Sequence, residues 1–529
     1  VCDGDVLTYE DLWDGSIAAA KSFLKAGVNR NDRVGILLPT CIPSAFCFFG
    51  SVLAGAIPLL MHARYRVPEI EHVLSDAGAR ILVTDAEHAL LPFAERVGDA
   101  IGQKIHVKTK LPNSVAVQSL DGKKSALRFV FSVSSGARRW ISDFVAPDRL
   151  WSDEELPNEL IRRASFRNTR DTGLILYTSG TTGPAKGVPL SQEALVNGSL
   201  GLGLSRFGLS PTESIWNPLP LYHIAGVATL LAAIYAGSKW IGTQHYDPKL
   251  AVDTLLKYQP TVIYPTWQAI TDSLFAEIRA REITLPSLRV VLNAGHPRLL
   301  KRWQEELSGF APNASQITGW GMTETSGLCV VSRPNDSLEV RIDTLGLPFN
   351  GVEIAAVDPE TRQLLPAGQF GELVVRGRPM LENYWQRSSK KDVFTEDGWF
   401  LTGDQGAVDS KGYLHFNGRL RDVLKVGGEN VSAAEVEAVL VSHHCVAEAQ
   451  VIGIPDPRLG EVPAAYIKCK TGQSWSEVEL VRYCSERLAP FKVPRCIREI
   501  DEWPMSATKV RKVDLRVRIA KELNLRVDA

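Results

Sequence analysis

Val34-Gly-Ile-Leu-Leu-Pro-Thr-Cys-Ile-Pro-Ser-Ala-Phe-Cys-Phe-Phe-Gly-Ser-Val-Leu-Ala-Gly-Ala-Ile-Pro-Leu-Leu-Met-His-Ala63 carries no charged side chain along its whole length. A stretch of that kind is long enough to span a bilayer. Pro39, Pro43 and Pro58, with Gly35, Gly50 and Gly55, break it into shorter pieces. These read as a strand at 34–38, a helix at about 44–54 and a second strand at 56–61. Strands that are apolar at every position belong to parallel sheets covered on both faces, since a strand facing water on one side would alternate. The stretch is therefore a buried βαβ unit, and the chain is predicted to be an α/β protein.

The pattern extends outward in both directions. Leu7-Thr-Tyr-Glu-Asp-Leu12 opens a helix that continues through the amphipathic run 18–26, and Arg80-Ile-Leu-Val-Thr-Asp85 is another buried strand. Residues 105–150 have weak periodicity and give no assignment. Residues 171–330 continue to alternate helix and strand, which argues for parallel sheets. From about 340 to 417 the signal changes to short alternating strands, such as Val352-Glu-Ile-Ala-Ala-Val357 and Gly371-Glu-Leu-Val-Val-Arg376, between Gly/Pro turns, as in a small β-barrel. After Gly418 helices (433–441, 475–488) and strands (447–454, 464–468) mix again, which places a domain boundary at about 420 and gives units of 1–419 and 420–529.

Bulk properties narrow the function. A chain of 529 residues exceeds one ordinary domain and buries a large core. A net charge of −1, with no basic stripe interleaved with aromatics, argues against nucleic acid as a partner. The eight cysteines are scattered without Cys-x-x-Cys or zinc spacing, as expected for reduced thiols in a cytoplasmic enzyme. Val1-Cys-Asp-Gly-Asp is too polar for a signal peptide, and without an initiator methionine the chain reads as processed or truncated. No transmembrane segment is expected.

Four further stretches carry chemistry. Leu176-Tyr-Thr-Ser-Gly-Thr-Thr-Gly-Pro-Ala-Lys-Gly-Val188 follows an apolar strand and alternates hydroxyls with glycines before one lysine. Glycines let backbone N–H groups crowd an anion, while the hydroxyls and Lys186 add donors and charge. This is a phosphate loop rather than a surface turn, and it is not a Walker loop, because Gly187 follows the lysine. In Thr318-Gly-Trp-Gly-Met-Thr-Glu-Thr325 an aromatic between glycines suits a planar base, and a glutamate suits Mg²⁺; a core tryptophan in a glycine-rich turn is the competing reading. In Trp399-Phe-Leu-Thr-Gly-Asp-Gln-Gly406 a carboxylate after a tight turn suits two ribose hydroxyls, or is simply a turn aspartate. Near the C-terminus, Pro504-Met-Ser-Ala-Thr-Lys-Val-Arg-Lys512 offers a loop lysine able to bridge a carboxylate and a phosphate, against the plainer reading of a basic surface tail.

Together, in this order, these motifs resemble the adenylate-forming superfamily: acyl- and aryl-CoA synthetases, peptide-synthetase adenylation domains and beetle luciferases. The resemblance spans nearly the whole chain. Its departures are Ala185 in place of proline, Trp320 in place of tyrosine, and no glycine before Lys509. It implies two stacked α/β subdomains plus a small β-barrel in a large N-terminal domain, and a small mobile α+β C-terminal domain. ATP and AMP would be bound by Thr178, Ser179, Gly180, Thr181, Thr182 and Gly183, by Gly295, His296 and Pro297 against adenine, by Trp320, Gly321, Met322 and Thr323, and by Asp404 and Arg419 on the ribose. Thr178 and Glu324 would position Mg²⁺. His223, in Pro218-Leu-Pro-Leu-Tyr-His-Ile-Ala-Gly226, would sit near the reacting carboxylate, with Tyr264, Trp267 and Asn293 lining the acyl pocket. Lys186 and Lys509 would assist adenylation. In Asn417-Gly-Arg-Leu-Arg-Asp-Val-Leu-Lys-Val-Gly-Gly-Glu-Asn-Val-Ser432, which falls on the domain boundary and otherwise reads as a charged, solvated linker, Arg421 would be the hinge, and Lys425 with Gly427 and Gly428 would enter for the second half-reaction and admit coenzyme A. No carboxylate occurs from Trp216 to Ala236, where amino-acid-activating members place an aspartate, so a simple carboxylic acid is implied. The resemblance thus points to an AMP-forming acyl-CoA synthetase acting on a fatty acid. Its rivals are an aryl-acid ligase, an enzyme loading a phosphopantetheinyl carrier protein, a luciferase-like oxidation of the adenylate, and a degenerate acyl-nucleotide binder without turnover.

Overall fold

The computed structural model describes the chain apart from residues 66, 86–94, 98, 100–115, 120–125, 134–154, 166–167, 179–184, 388–392, 421–422, 427–428, 457–458, 489, 507–508 and 524–529. The opening stretch folds as a βαβ unit. Strand β1 (Arg33–Leu37) and strand β2 (Ile57–Leu60) pair in parallel, with the helix Ile42–Leu53 between them. That helix starts earlier than its apolar pattern suggested because Pro43 falls in its first turn, where no N–H is needed. The first helix, Tyr9–Lys25, begins at Thr8: the Thr8 hydroxyl accepts from Asp11 N at 3.0 Å, and the Asp11 carboxylate accepts from Thr8 N at 2.8 Å.

With β3 (Ala79–Thr84), β4 (Ala116–Ser119), β5 (Phe129–Ser132), β6 (Thr172–Thr178) and β7 (Lys186–Ser191), these strands form a sheet in the order β4-β5-β3-β1-β2-β6-β7. Only its outer pairs, β4–β5 and β6–β7, are antiparallel. A second sheet, wholly parallel, has the order β12-β11-β10-β8-β9 from β8 (Ser214–Trp216), β9 (Lys239–Ile241), β10 (Val262–Thr266), β11 (Val290–Asn293) and β12 (Ser315–Ile317).

Alternation along the strands shows how the sheets stack. Ile36 and Ile81 of the first sheet share one apolar cluster with Val262 and Val290 of the second. Their chain neighbours Leu37 and Leu82 belong to a cluster on the far face of the first sheet, and Ile263 and Val291 to one on the far face of the second. Successive strand residues point to opposite faces, so both sheets are buried on both sides with a common layer between them.

The antiparallel part begins earlier than the sequence suggested. β13 (Gly319–Met322), β14 (Gly327–Val331) and β15 (Leu347–Pro348) form one sheet, and β16 (Val352–Val357), β17 (Gly371–Gly377), β18 (Phe400–Val408) and β19 (Leu414–Arg419) another. Beyond them, β20 (Val423–Val426), β21 (Glu429–Ser432), β22 (Val446–Asp456), β23 (Gly460–Cys469) and β24 (Ile497–Glu499) carry the helices Ala433–Val441 and Glu477–Ser485 around a core of their own, which runs from Leu424 to Ile519 and includes Tyr466.

Candidate functional site

The hairpin β13–β14 sets the first part of the site. A Cβ on Gly319 would stand 2.7 Å from the Val330 carbonyl oxygen, and one on Gly321 only 2.1 Å from that of Gly327. The glycines flanking Trp320 thus answer first to the neighbouring strand. Trp320 is 5% exposed, and its indole N–H donates to Asp404 Oδ2 at 2.8 Å. Asp404 is itself 3% exposed. Its register partner across β18–β19 is Arg419, whose Nε lies 2.8 Å from Oδ1. A buried carboxylate needs such partners, because its charge has been taken out of water. Gly403, at φ +69°, is not a turn residue as the sequence suggested: it lies inside β18 just before Asp404, where the register with β17 shifts.

The second part lies where β6 meets β7. Thr178 and Lys186 are register partners on either side of the loop 179–184. Ser179, Gly180, Thr181, Thr182 and Gly183 lie in that loop, outside the described residues. The Lys186 ammonium stands 5.2 Å from the centre of the Tyr384 ring, and the Tyr384 hydroxyl donates to Glu324 Oε1 at 2.8 Å. Burial, and then the Glu324 charge, push the Tyr384 phenol up from its ordinary value, so it remains a donor. Glu324 sits on the short turn Thr323–Thr325 after Met322. The Thr325 hydroxyl fixes that turn, accepting from Met322 N at 2.9 Å and donating to Gly327 O at 2.6 Å. Lys186, Tyr384 and Glu324 thus form one chain of contacts. Sequence reasoning missed Tyr384, which lies in no motif; it is carried in by Trp385, whose backbone N–H donates to Gly187 O at 2.8 Å.

The remaining residues divide into surface-facing and buried groups. Gly295 precedes the helix Pro297–Phe310, whose N-cap is His296, with Nδ1 accepting from Arg298 N at 3.3 Å. Burial lowers the His296 pKa, with Arg298 adding to the shift. His223 likewise caps the helix Ile224–Ala236, and its ring meets Trp267 edge-on at 5.7 Å. His62, also unforeseen, lies near it: its ring is 4.5 Å from that of Tyr222, and burial, with Arg64 and His223 next, pulls it down to about 4. Asn293 is wholly buried, donating to Gln316 Oε1 and accepting from Thr271 Oγ1, both at 2.9 Å. Its amide is thus held by two buried neighbours from other elements. Tyr264 is 3% exposed and packs on Phe207. Lys425 lies on β20 and Lys509 on the short hairpin Met505–Ser506 with Lys509–Val510. Arg421, Gly427 and Gly428 lie outside the described residues. No helix among the described residues is long and apolar enough to cross a membrane.

Comparison with known proteins points the same way as these contacts. A family model described as AMP-binding enzyme matches residues 1–385, and one described as AMP-binding enzyme C-terminal domain matches 435–509. The chain is 29% identical over 532 residues to the medium-chain acyl-CoA ligase ACSF2, mitochondrial, of Danio rerio, covering 99% of this chain and 86% of the relative. It is 30% identical over 526 residues to a feruloyl-CoA synthase of Amycolatopsis, covering 97% and 94%. Among solved structures, ATP-bound MatB from Rhodopseudomonas palustris superposes with a TM-score of 0.79 at 25% identity, covering 98% of this chain and 95% of that one.

Proposed function

Given that the chain belongs to the AMP-binding enzyme family and is an ATP-dependent, AMP-forming acid–CoA ligase, we propose that its acid is a fatty acid, joined to coenzyme A through an acyl-adenylate. The observation that carries this reading is the segment around His223. From Trp216 to Ala236 it holds no carboxylate, and the helix behind His223 is buried and apolar along most of its length. A substrate ammonium would find no counter-charge there, whereas an alkyl chain would lose only water.

In the first step a carboxylate oxygen of the acid attacks the α-phosphorus of ATP, and the bond to pyrophosphate breaks. Asp404, held by Trp320 and Arg419, accepts from the ribose hydroxyls and fixes the nucleotide. Lys186 and Lys509 stabilise the charge that develops on the phosphoryl oxygens. The Glu324 carboxylate and the Thr178 hydroxyl are hard oxygen donors, a set that fits Mg²⁺. When bound there, Mg²⁺ would neutralise phosphate charge. In the second step the coenzyme A thiol attacks the acyl carbonyl and AMP leaves. Lys425 and the glycine pair 427–428 replace Lys509 at the site as the domain after residue 420 turns about Arg421.

A second reading, an aryl acid, is favoured by the edge contact between His223 and Trp267, which gives the site an aromatic wall. Acid-dependent ATP–pyrophosphate exchange separates the two. Exchange supported by aliphatic acids and not by substituted benzoates or cinnamates is the expected result, and the reverse preference replaces the fatty acid with the aryl acid. Adding coenzyme A or a phosphopantetheinyl carrier protein then identifies the acceptor.

A further inference from the structure

The C-terminal core carries a group of metal-binding side chains that the ligase chemistry does not use. His443 and His444 follow the helix Ala433–Val441 in the turn leading to β22, and Glu479 lies on the helix Glu477–Ser485. Adjacent residues in a strand or helix point apart, but a turn lets both rings face one way; the two imidazoles stand 4.3 Å apart, centre to centre. One ligand atom from each of His443, His444 and Glu479 lies within 4.8 Å of the others.

The detailed geometry favours a cation between them. His443 Nε2 and Glu479 Oε1 are 3.5 Å apart, long for a charge-assisted hydrogen bond. Two ligands about 2.0–2.1 Å from a tetrahedral zinc ion stand roughly 3.3–3.4 Å from each other. The other nitrogen of His443 is already engaged, with Nδ1 3.0 Å from Cys445 Sγ. A second contact of this kind fixes the orientation of a metal-binding imidazole and leaves Nε2 to the ion. His443 is 5% exposed and its ring is braced edge-on by Tyr483 at 4.7 Å, while His444 is exposed, so the site is rigid on one side and open to water on the other. Arg487, stacked on Tyr483, is a nearby cation that would oppose the ion.

We propose that His443 Nε2, His444 and Glu479 form a surface zinc site with water as the fourth ligand, tying the turn after the helix Ala433–Val441 to the helix Glu477–Ser485. A pair of imidazole donors suits Zn²⁺ and Cu²⁺ far better than Mg²⁺ or Ca²⁺.

The test is calorimetric titration of the metal-stripped full chain with Zn²⁺ in the absence of nucleotide, so that no phosphate-bound metal contributes. About one equivalent is expected, with affinity falling at least about tenfold in both His444→Gln and Glu479→Gln. Both side chains are at least partly solvated, so the fold should survive; equal ATP–pyrophosphate exchange by parent and variants checks this. Co²⁺ substituted for Zn²⁺ should give the visible absorption of a tetrahedral ion, lost in His444→Gln. Absence of saturable binding, or unchanged affinity in either variant, overturns the site.

Discussion

At the scale of single residues, Tyr384 touches both Glu324 and Lys186, two residues proposed to serve the nucleotide. The phenol donates to one carboxylate oxygen while its ring lies beside the Lys186 ammonium, so one side chain orients both an anion and a cation. Tyr384→Phe keeps the ring and removes only the donor. The Mg²⁺ concentration for half-maximal adenylation should rise about 10–100-fold, as expected when the partner of a metal-holding carboxylate is lost. Thermal stability should change little; an unchanged Mg²⁺ dependence would separate Glu324 from the metal. A second residue sets a pH response. His62 titrates at about 4 in the folded chain against an ordinary 6.5. Between those values the unfolded chain takes up a proton that the folded chain refuses, so stability is full above about 6.5 and is lost as pH falls toward 4. The loss is on the order of 3 kcal/mol at most. Denaturant unfolding across this range should show a steeper acid loss for the parent than for His62→Gln.

At the scale of elements, the backbone hairpin β13–β14 does the positioning. With Gly321→Ala the new Cβ would meet the Gly327 carbonyl oxygen at 2.1 Å, so the strands must separate. Trp320 would then lose its hydrogen bond to Asp404, and the Thr323–Thr325 turn would shift with Glu324. A destabilisation of about 1–3 kcal/mol or more is expected, with adenylation falling further than the fraction folded; circular dichroism melting and pyrophosphate exchange on one sample measure both. This element also marks the limit of what the sequence discloses. The uncharged run 34–63 announced its βαβ unit because burial on both faces leaves a continuous apolar signal. Glycine, tryptophan and aspartate at 319–321 and 404 were readable as nucleotide-binding types, but the bond joining Trp320 to Asp404 spans 84 positions of chain, and no local pattern encodes it. The partners of Asn293 escape the sequence for the same reason. Its partners Thr271 and Gln316 come from other elements, and only their convergence turns a polar side chain into a core strut.

At the scale of the whole molecule, the apolar interior divides. Every apolar cluster built from residues before 420 ends by Leu414, and the cluster from Leu424 to Ile519 draws only on residues after it. Two cores joined by a short charged segment can turn against each other without either being disrupted, since the apolar contacts within each move as a unit. Lys425 lies on a strand at the start of the second core and Lys509 on a hairpin near its end. The part after residue 420 thus carries two lysines, which would serve different half-reactions if it presents different faces to the nucleotide. Lys509→Ala should slow acid-dependent pyrophosphate exchange by about 10²–10³-fold, the range for losing one group that stabilises developing charge, while leaving thioester formation from synthetic acyl-adenylate close to the parent rate. Lys425→Ala should do the reverse. The contrast is informative because a general loss of stability would depress both rates together. If both variants lose the same half-reaction, the two lysines share one arrangement, and rotation about residue 421 is not how this chain divides its chemistry.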